Sequence, residues 1–133
     1  MANYKILLVD DNPVVRNIIR QVLEKDSDLT VCGEAGDGIS ALEKAEALRP
    51  DIVVLDLSMP GMNGLVVAPK IRSLLPHACL ILFTLYGSPE VEQAARRAGI
   101  DAVISKADRG DELVKAAKSF FAGTKAIRRS TSS

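Results

Sequence analysis

Five polar residues in this sequence follow apolar runs in positions where they could do chemistry together. Asp10 and Asp11 directly follow Ile6–Val9, Asp56 follows Ile52–Leu55, Thr84 follows Cys79–Phe83, and Lys106 comes just after Ala102–Ile104. Three carboxylates gathered in one crevice repel one another, and at least one should hold its proton more tightly than usual. A divalent cation removes that conflict. Mg²⁺ suits it, because it is small and hard and binds one or two carboxylates together with waters and a phosphate oxygen. Lys106 adds a further compensating charge. In such a setting an aspartate can attack phosphorus and form an aspartyl phosphate. The metal and the lysine would stabilise charge on the transferred group. Thr84 could donate its hydroxyl to the new phosphate, which would give it a bound and an unbound position.

The elements that must position these residues can be read from the apolar pattern. The runs Ile6–Val9, Leu29–Cys32, Ile52–Leu55, Cys79–Phe83 and Ala102–Ile104 are short and mostly continuous, as expected of buried parallel strands. Leu29–Cys32 is the weakest, and its alternation suits an edge strand. Amphipathic stretches lie between them. The first helix puts Val14, Val15, Ile18, Ile19, Val22 and Leu23 on one face, with Asn12 as cap and Pro13 in the first turn. The second runs from about Gly38 to Leu48. The third contains Pro69, which predicts either a kink or a late start. The fourth opens at Ser88-Pro89. The fifth starts near Asp108 and buries Leu113, Val114, Ala117, Phe120 and Phe121.

Five such units predict an α/β fold: a doubly wound five-stranded parallel sheet with helices on both faces. In the flavodoxin-like order 2-1-3-4-5, the strand order reverses between strands one and three, where ligands bind at the carboxyl ends. Asp10, Asp11 and Asp56 would flank that crevice. The domain is placed at residues 1–122, with 123–133 as a flexible tail or the start of a linker.

Composition narrows the function classes. A chain of 133 residues that is 47% hydrophobic can form one domain with its own core. Seventeen basic residues balance seventeen acidic ones, so the chain has no bulk attraction for nucleic acid or an anionic membrane. Cys32 and Cys79 lie in apolar runs and read as reduced, buried thiols. No apolar run reaches the roughly 18 residues of a membrane span, and no leader pattern opens the chain. A cytoplasmic location is expected.

Taken together, LLVDDNPVVR, GEAGDG, LRPDIVVLDLSMPGMNGL, Thr84 and ISKAD resemble the receiver domains of two-component response regulators over about residues 3–122. They are most similar to the nitrate-response subfamily, whose members usually carry a C-terminal helix-turn-helix DNA-binding domain. The resemblance implies that Asp56 accepts phosphate from a histidine kinase or a small phosphodonor. It implies that Asp11 binds Mg²⁺ directly and Asp10 mainly through water, with the Ser58 carbonyl as a third protein ligand. Lys106 would contact the phosphoryl group, and Thr84 would follow it. Such a chain is a signalling domain that assists its own phosphorylation and dephosphorylation, not an enzyme. Its output would be transcriptional through another domain, with no direct contact to nucleic acid. A homodimer is left open.

Three positions depart from the family pattern. Val103 stands where an aromatic or histidine usually couples to the threonine, with Tyr86 as a nearby aromatic that could substitute. Leu85 replaces a small residue after Thr84, and Ala107 replaces a common proline after Lys106, at a bond that is often cis in the family. These departures motivate an alternative, a degenerate receiver that binds partners regardless of phosphorylation. Two enzyme-class readings fit less well. Aspartyl-phosphate phosphatases need an Asp where Ser58 stands, and flavin carriers need a Ser/Thr-rich loop where Asp10-Asp11-Asn12-Pro13 stands.

Each residue alone also has an ordinary explanation. Acids favour a helix N-terminus, Asp56 precedes the turn Met59-Pro60-Gly61, and lysines are mostly solvated. Only their joint placement at strand ends argues for function.

Overall fold

The computed structural model describes residues 3–59, 63–85, 87–108 and 110–132, with side chains described to Phe121, Asp108 excepted. Tyr86 and the turn residues 60–62 lie outside the described residues, as do the side chains of 122–133. The strands are β1 (Tyr4–Val9), β2 (Leu29–Ala35), β3 (Ile52–Leu55), β4 (Cys79–Thr84) and β5 (Ala102–Ser105). They form one parallel sheet in the order β2-β1-β3-β4-β5. The expected fold class and strand order are therefore observed, and β2 is an edge strand. The helices are α1 (Pro13–Glu24), α2 (Gly38–Leu48), α3 (Gly64–Leu74), α4 (Pro89–Arg97) and α5 (Asp111–Ser132).

Alternation along the strands divides the core into two layers. Leu7, Val9, Val53, Leu55, Leu80 and Leu82 face α2, α3 and α4, where Ala41, Ala45, Val67, Ile71 and Ala95 meet them. Ile6, Leu8, Ile52, Val54, Ile81 and Phe83 face α1 and α5, against Ile19, Leu23, Leu113 and Ala117. Phe121 stacks on Tyr4 with ring centroids 4.1 Å apart, tying α5 to the start of β1. Cys79 is buried, whereas Cys32 is only half-buried; both are free thiols. No helix among the described residues is long and apolar enough to cross a membrane.

Helix starts follow local chemistry. The Asn12 side chain accepts from the Val14 and Val15 amides, and Asn63 does the same for Leu65 and Val66. The Asn63 cap overrides the late start that Pro69 suggested. Helix α3 begins at Gly64 and continues through Pro69, which sits on the exposed side. Helix α5 begins later than expected, because Lys106–Asp108 form a short 3₁₀ turn before Gly110, whose φ is +95°. Its backbone is helical to Ser132.

Far from the strand ends that carry the acids, Arg72 joins α3 to the α4–β5 turn. Its guanidinium donates to the carbonyls of Ala78 (2.7 Å), Gly99 (2.7 Å) and Pro76 (3.1 Å), and it pairs with Asp101 at 2.7 Å. Asp101 in turn accepts from the Leu80 amide. Arg72→Met strands several of these carbonyls and should cost about 2 kcal/mol, read as a lower urea midpoint with an unchanged m-value.

Candidate functional site

The site forms because β1 and β3 end side by side. Val9 pairs with Leu55, so Asp10 and Asp56 leave the sheet as neighbours. The Asp56 amide donates to the Val9 carbonyl (2.8 Å), and the Asp10 amide to that of Ala35 (3.0 Å). One oxygen from each of Asp10, Asp11 and Asp56 lies within 4.8 Å of the others. The side chains of Asp10 and Asp56 are nearly buried, 5% and 8% exposed, while Asp11 is open to solvent.

Lys106 closes the cluster from the turn directly after β5. Its Nζ lies 2.6 Å from Asp10 Oδ2 and 3.2 Å from Asp56 Oδ1, with only 16% of the side chain exposed. The second Asp10 oxygen accepts the Asn12 amide at 2.9 Å. The Lys106–Ala107 bond is trans; no cis peptide occurs among the described residues.

Thr84 ends β4 opposite Ser105 and is 1% exposed. It lines a hollow of about 340 Å³ with Leu85, Ser88, Glu92, Val103 and Ile104. Val103 is only half-buried there, and Leu85 projects outward at 64% exposure. Ser58 lies two residues past Asp56 and is exposed.

Gly64 was not singled out by the sequence reading, yet it lets α3 approach Asp56. A Cβ there would lie 2.3 Å from the Asp56 carbonyl oxygen, too close for any side chain. Only the contact, not the sequence pattern, identifies this requirement. By helical periodicity Arg16 falls on the side of α1 away from most of its apolar residues, where a solvated charge would be the ordinary outcome. It instead reaches back to the Asp10 carbonyl and pairs with Glu34.

Charge explains the titration of the cluster. Burial pushes the Asp56 carboxyl above its ordinary value and the Asp10 charge adds to that, while Lys106 and a Ser58 backbone hydrogen bond oppose it. Burial would lower the pKa of Lys106, but hydrogen bonding and charge from Asp10, then Asp56, outweigh it and hold the ammonium above its usual value. Asp56 thus binds its proton more tightly when folded than when unfolded. Its contribution to stability is most favourable in acid and declines as pH rises through the raised pKa. In EDTA, the melting temperature of the native protein minus that of Asp56→Asn should fall as pH rises from about 4. A pH-independent difference would contradict the shift.

Three carboxylates against one ammonium leave two uncompensated negative charges. Oxygen donors only, one of them solvent-facing, with that residual charge fit a hard divalent cation such as Mg²⁺.

Comparison with known proteins agrees with this architecture. The response regulator receiver domain model matches residues 6–118. The nitrate/nitrite response regulator protein NarL of Escherichia coli K12 is 37% identical over 118 residues, covering 89% of this chain and 55% of that protein. The DNA-binding transcriptional activator DevR/DosR of Mycobacterium tuberculosis is 37% identical over 119 residues, covering 90% and 55%. A crystal structure of a LuxR-family two-component response regulator from Aurantimonas sp. SI85-9A1 superposes with a TM-score of 0.86 at 32% identity, covering 92% of this chain and 87% of that one. The chain spans about half the length of these two curated relatives. The chain belongs to the response regulator receiver domain family.

Proposed function

We propose that this chain is a phospho-acceptor switch of a two-component system, in which Asp56 takes a phosphoryl group from a histidine kinase or a small phosphodonor. The observation that carries this reading is the approach of Asp10, Asp11 and Asp56 within 4.8 Å, bridged by the Lys106 ammonium.

Asp11, Asp10, Asp56 and the Ser58 carbonyl would hold Mg²⁺, which supplies charge neutralisation at the phosphoryl oxygens. An Asp56 carboxylate oxygen forms the new bond to phosphorus, and the bond from phosphorus to the donor breaks with its electron pair leaving on the donor. Lys106 is already within hydrogen-bonding distance of Asp56 and can turn an N–H toward the transferred group. Thr84, at the end of the next strand, donates its hydroxyl to the aspartyl phosphate, and its movement is read on the hollow it shares with Leu85 and Val103. The chain is an acceptor and not an enzyme, and it works in the cytoplasm. The output it switches is transcriptional and is supplied by a separate DNA-binding domain, a reading supported by the likeness to the DNA-binding activator DevR/DosR.

Incubation with Mg²⁺ and a small phosphodonor should add one phosphoryl group by intact mass, labile to base, and EDTA should prevent it. Modification that is equally complete in EDTA would remove the metal from the proposal.

A second reading, a receiver that binds partners regardless of phosphorylation, draws on an apolar surface. Val15, Ile18, Val22, Leu85 and Val114 line a groove between α1 and α5, in which Ile18 and Leu85 are exposed. Equal affinity of native and Asp56→Asn proteins for one partner would favour it.

A further inference from the structure

We propose that Arg16 is a positioning residue for the metal site, fixing the peptide between Asp10 and Asp11 and thereby the solvent-facing ligand Asp11. The inference rests on the Mg²⁺ reading above and assigns a role to a residue outside the acidic cluster.

Asp10 is tied at four points. Its amide donates to Ala35, one side-chain oxygen accepts from Asn12, and the other meets Lys106. The fourth point is its main-chain carbonyl, which lies past the end of β1. Arg16 Nη1 donates to that carbonyl, while Arg16 Nε donates to Glu34 Oε1 at 2.9 Å. One planar guanidinium therefore links the loop carrying the acids to β2 in a fixed orientation.

Glu34 is itself held. A bulge in β2 shifts the register between Ile6 and Leu7, leaving Glu34 opposite Leu8. Arg20 Nη2 sits 3.3 Å from its second carboxylate oxygen, and the Lys44 ammonium donates to its carbonyl. Gly36 borders the guanidinium, and a Cβ there would lie 3.4 Å from Arg16 Nη1, in ordinary contact with it.

A peptide unit is planar, so fixing the direction of the Asp10 carbonyl also fixes the Asp11 amide and the Asp11 Cα. The next peptide is tied as well, through the Asn12 amide on Asp10 Oδ1. Asp11 is thus presented by a backbone clamped on both sides, which matters because its own side chain is exposed. Residues that orient metal ligands typically change metal affinity by 10- to 100-fold when replaced.

The sign of the effect separates positioning from simple charge. Arg16 is a cation near an anionic site, so acting through charge alone it would weaken cation binding, and its removal would tighten it. A positioning role predicts the opposite.

Calorimetric titration of Mg²⁺ into the full chain tests this. Arg16→Met should bind about tenfold more weakly than the native protein. Arg16→Lys should fall between them, because one ammonium cannot replace a fork that serves both the carbonyl and Glu34. Arg72→Met, which loosens the opposite end of the fold, should lose stability and keep the native Kd. Equal or tighter binding by Arg16→Met would overturn the assignment while leaving the metal site intact. If Arg16→Met does not fold, Arg16→Lys decides, and a native Kd there overturns the assignment. A native protein that does not bind Mg²⁺ would instead overturn the metal reading on which the role depends.

Discussion

Asp56→Asn should take up no phosphoryl group under conditions that modify the native protein completely. The substitution preserves shape and hydrogen bonding but removes the anionic oxygen that must bond to phosphorus, and a neutral amide is a poor nucleophile. The other acids cannot readily replace it. Asp10 is engaged by Lys106 and Asn12, and Asp11 is exposed to solvent, whose competing water hydrates its carboxylate. Intact-mass measurement after phosphodonor treatment gives the answer directly, and a fully modified Asp56→Asn protein would remove Asp56 as the acceptor. The same variant relieves the like-charge contact with Asp10, so without metal it should be at least as stable as the native protein at neutral pH. Loss of reactivity without loss of fold is the expected pair of results.

Lys106→Met should have the second largest effect, and should act on both stability and reactivity. Lys106 is the only cation whose side chain is seen, among the described residues, paired with Asp10 and Asp56. Its removal leaves two nearly buried carboxylates facing each other, and breaking such a pair costs about 3 kcal/mol, the lower end for buried pairs because Lys106 retains some exposure. Urea unfolding in EDTA at neutral pH measures this, and added Mg²⁺ should recover part of the loss by supplying the missing charge. Adding Asp56→Asn to Lys106→Met should also restore stability, because it removes one of the two repelling acids. Phosphoryl uptake should fall by about 10²- to 10³-fold, as when one preorganised donor is deleted from a reaction site. Native-like stability in Lys106→Met would show that solvent, not the lysine, balances the acids.

Much of the framework was legible because it depends on local pattern. Short apolar runs marked every strand, and Asn12 and Ser88-Pro89 marked two helix starts, all within a few residues of those observed. The acids stood out because charged residues directly after buried strands are costly unless they have a partner or a task. Other features were not legible. Pro69 suggested a kink or a late start, and of these the late start does not occur, because the Asn63 cap and burial of Val67, Ala68 and Ile71 outweigh one lost hydrogen bond. The start of α5 was placed too early because a 3₁₀ turn and Gly110 intervene after β5. Arg16 and Glu34 are far apart in sequence, and each alone reads as an ordinary surface charge.

By itself, the sequence determined the strand and helix pattern, the sheet class and which polar residues end the strands, because these follow from hydrophobic periodicity and capping within a few residues of each position. Only the tertiary structure decided which charges actually meet. The 2.6 Å contact of Lys106 with Asp10 and the Arg16–Glu34 pair join segments distant along the chain, while the Arg16 brace on the Asp10 carbonyl and the close approach that excludes any side chain at Gly64 depend on how a helix folds back on the strand end before it. Such contacts are set by how strands align and helices pack, to within tenths of an ångström, and no periodicity along the chain encodes that alignment.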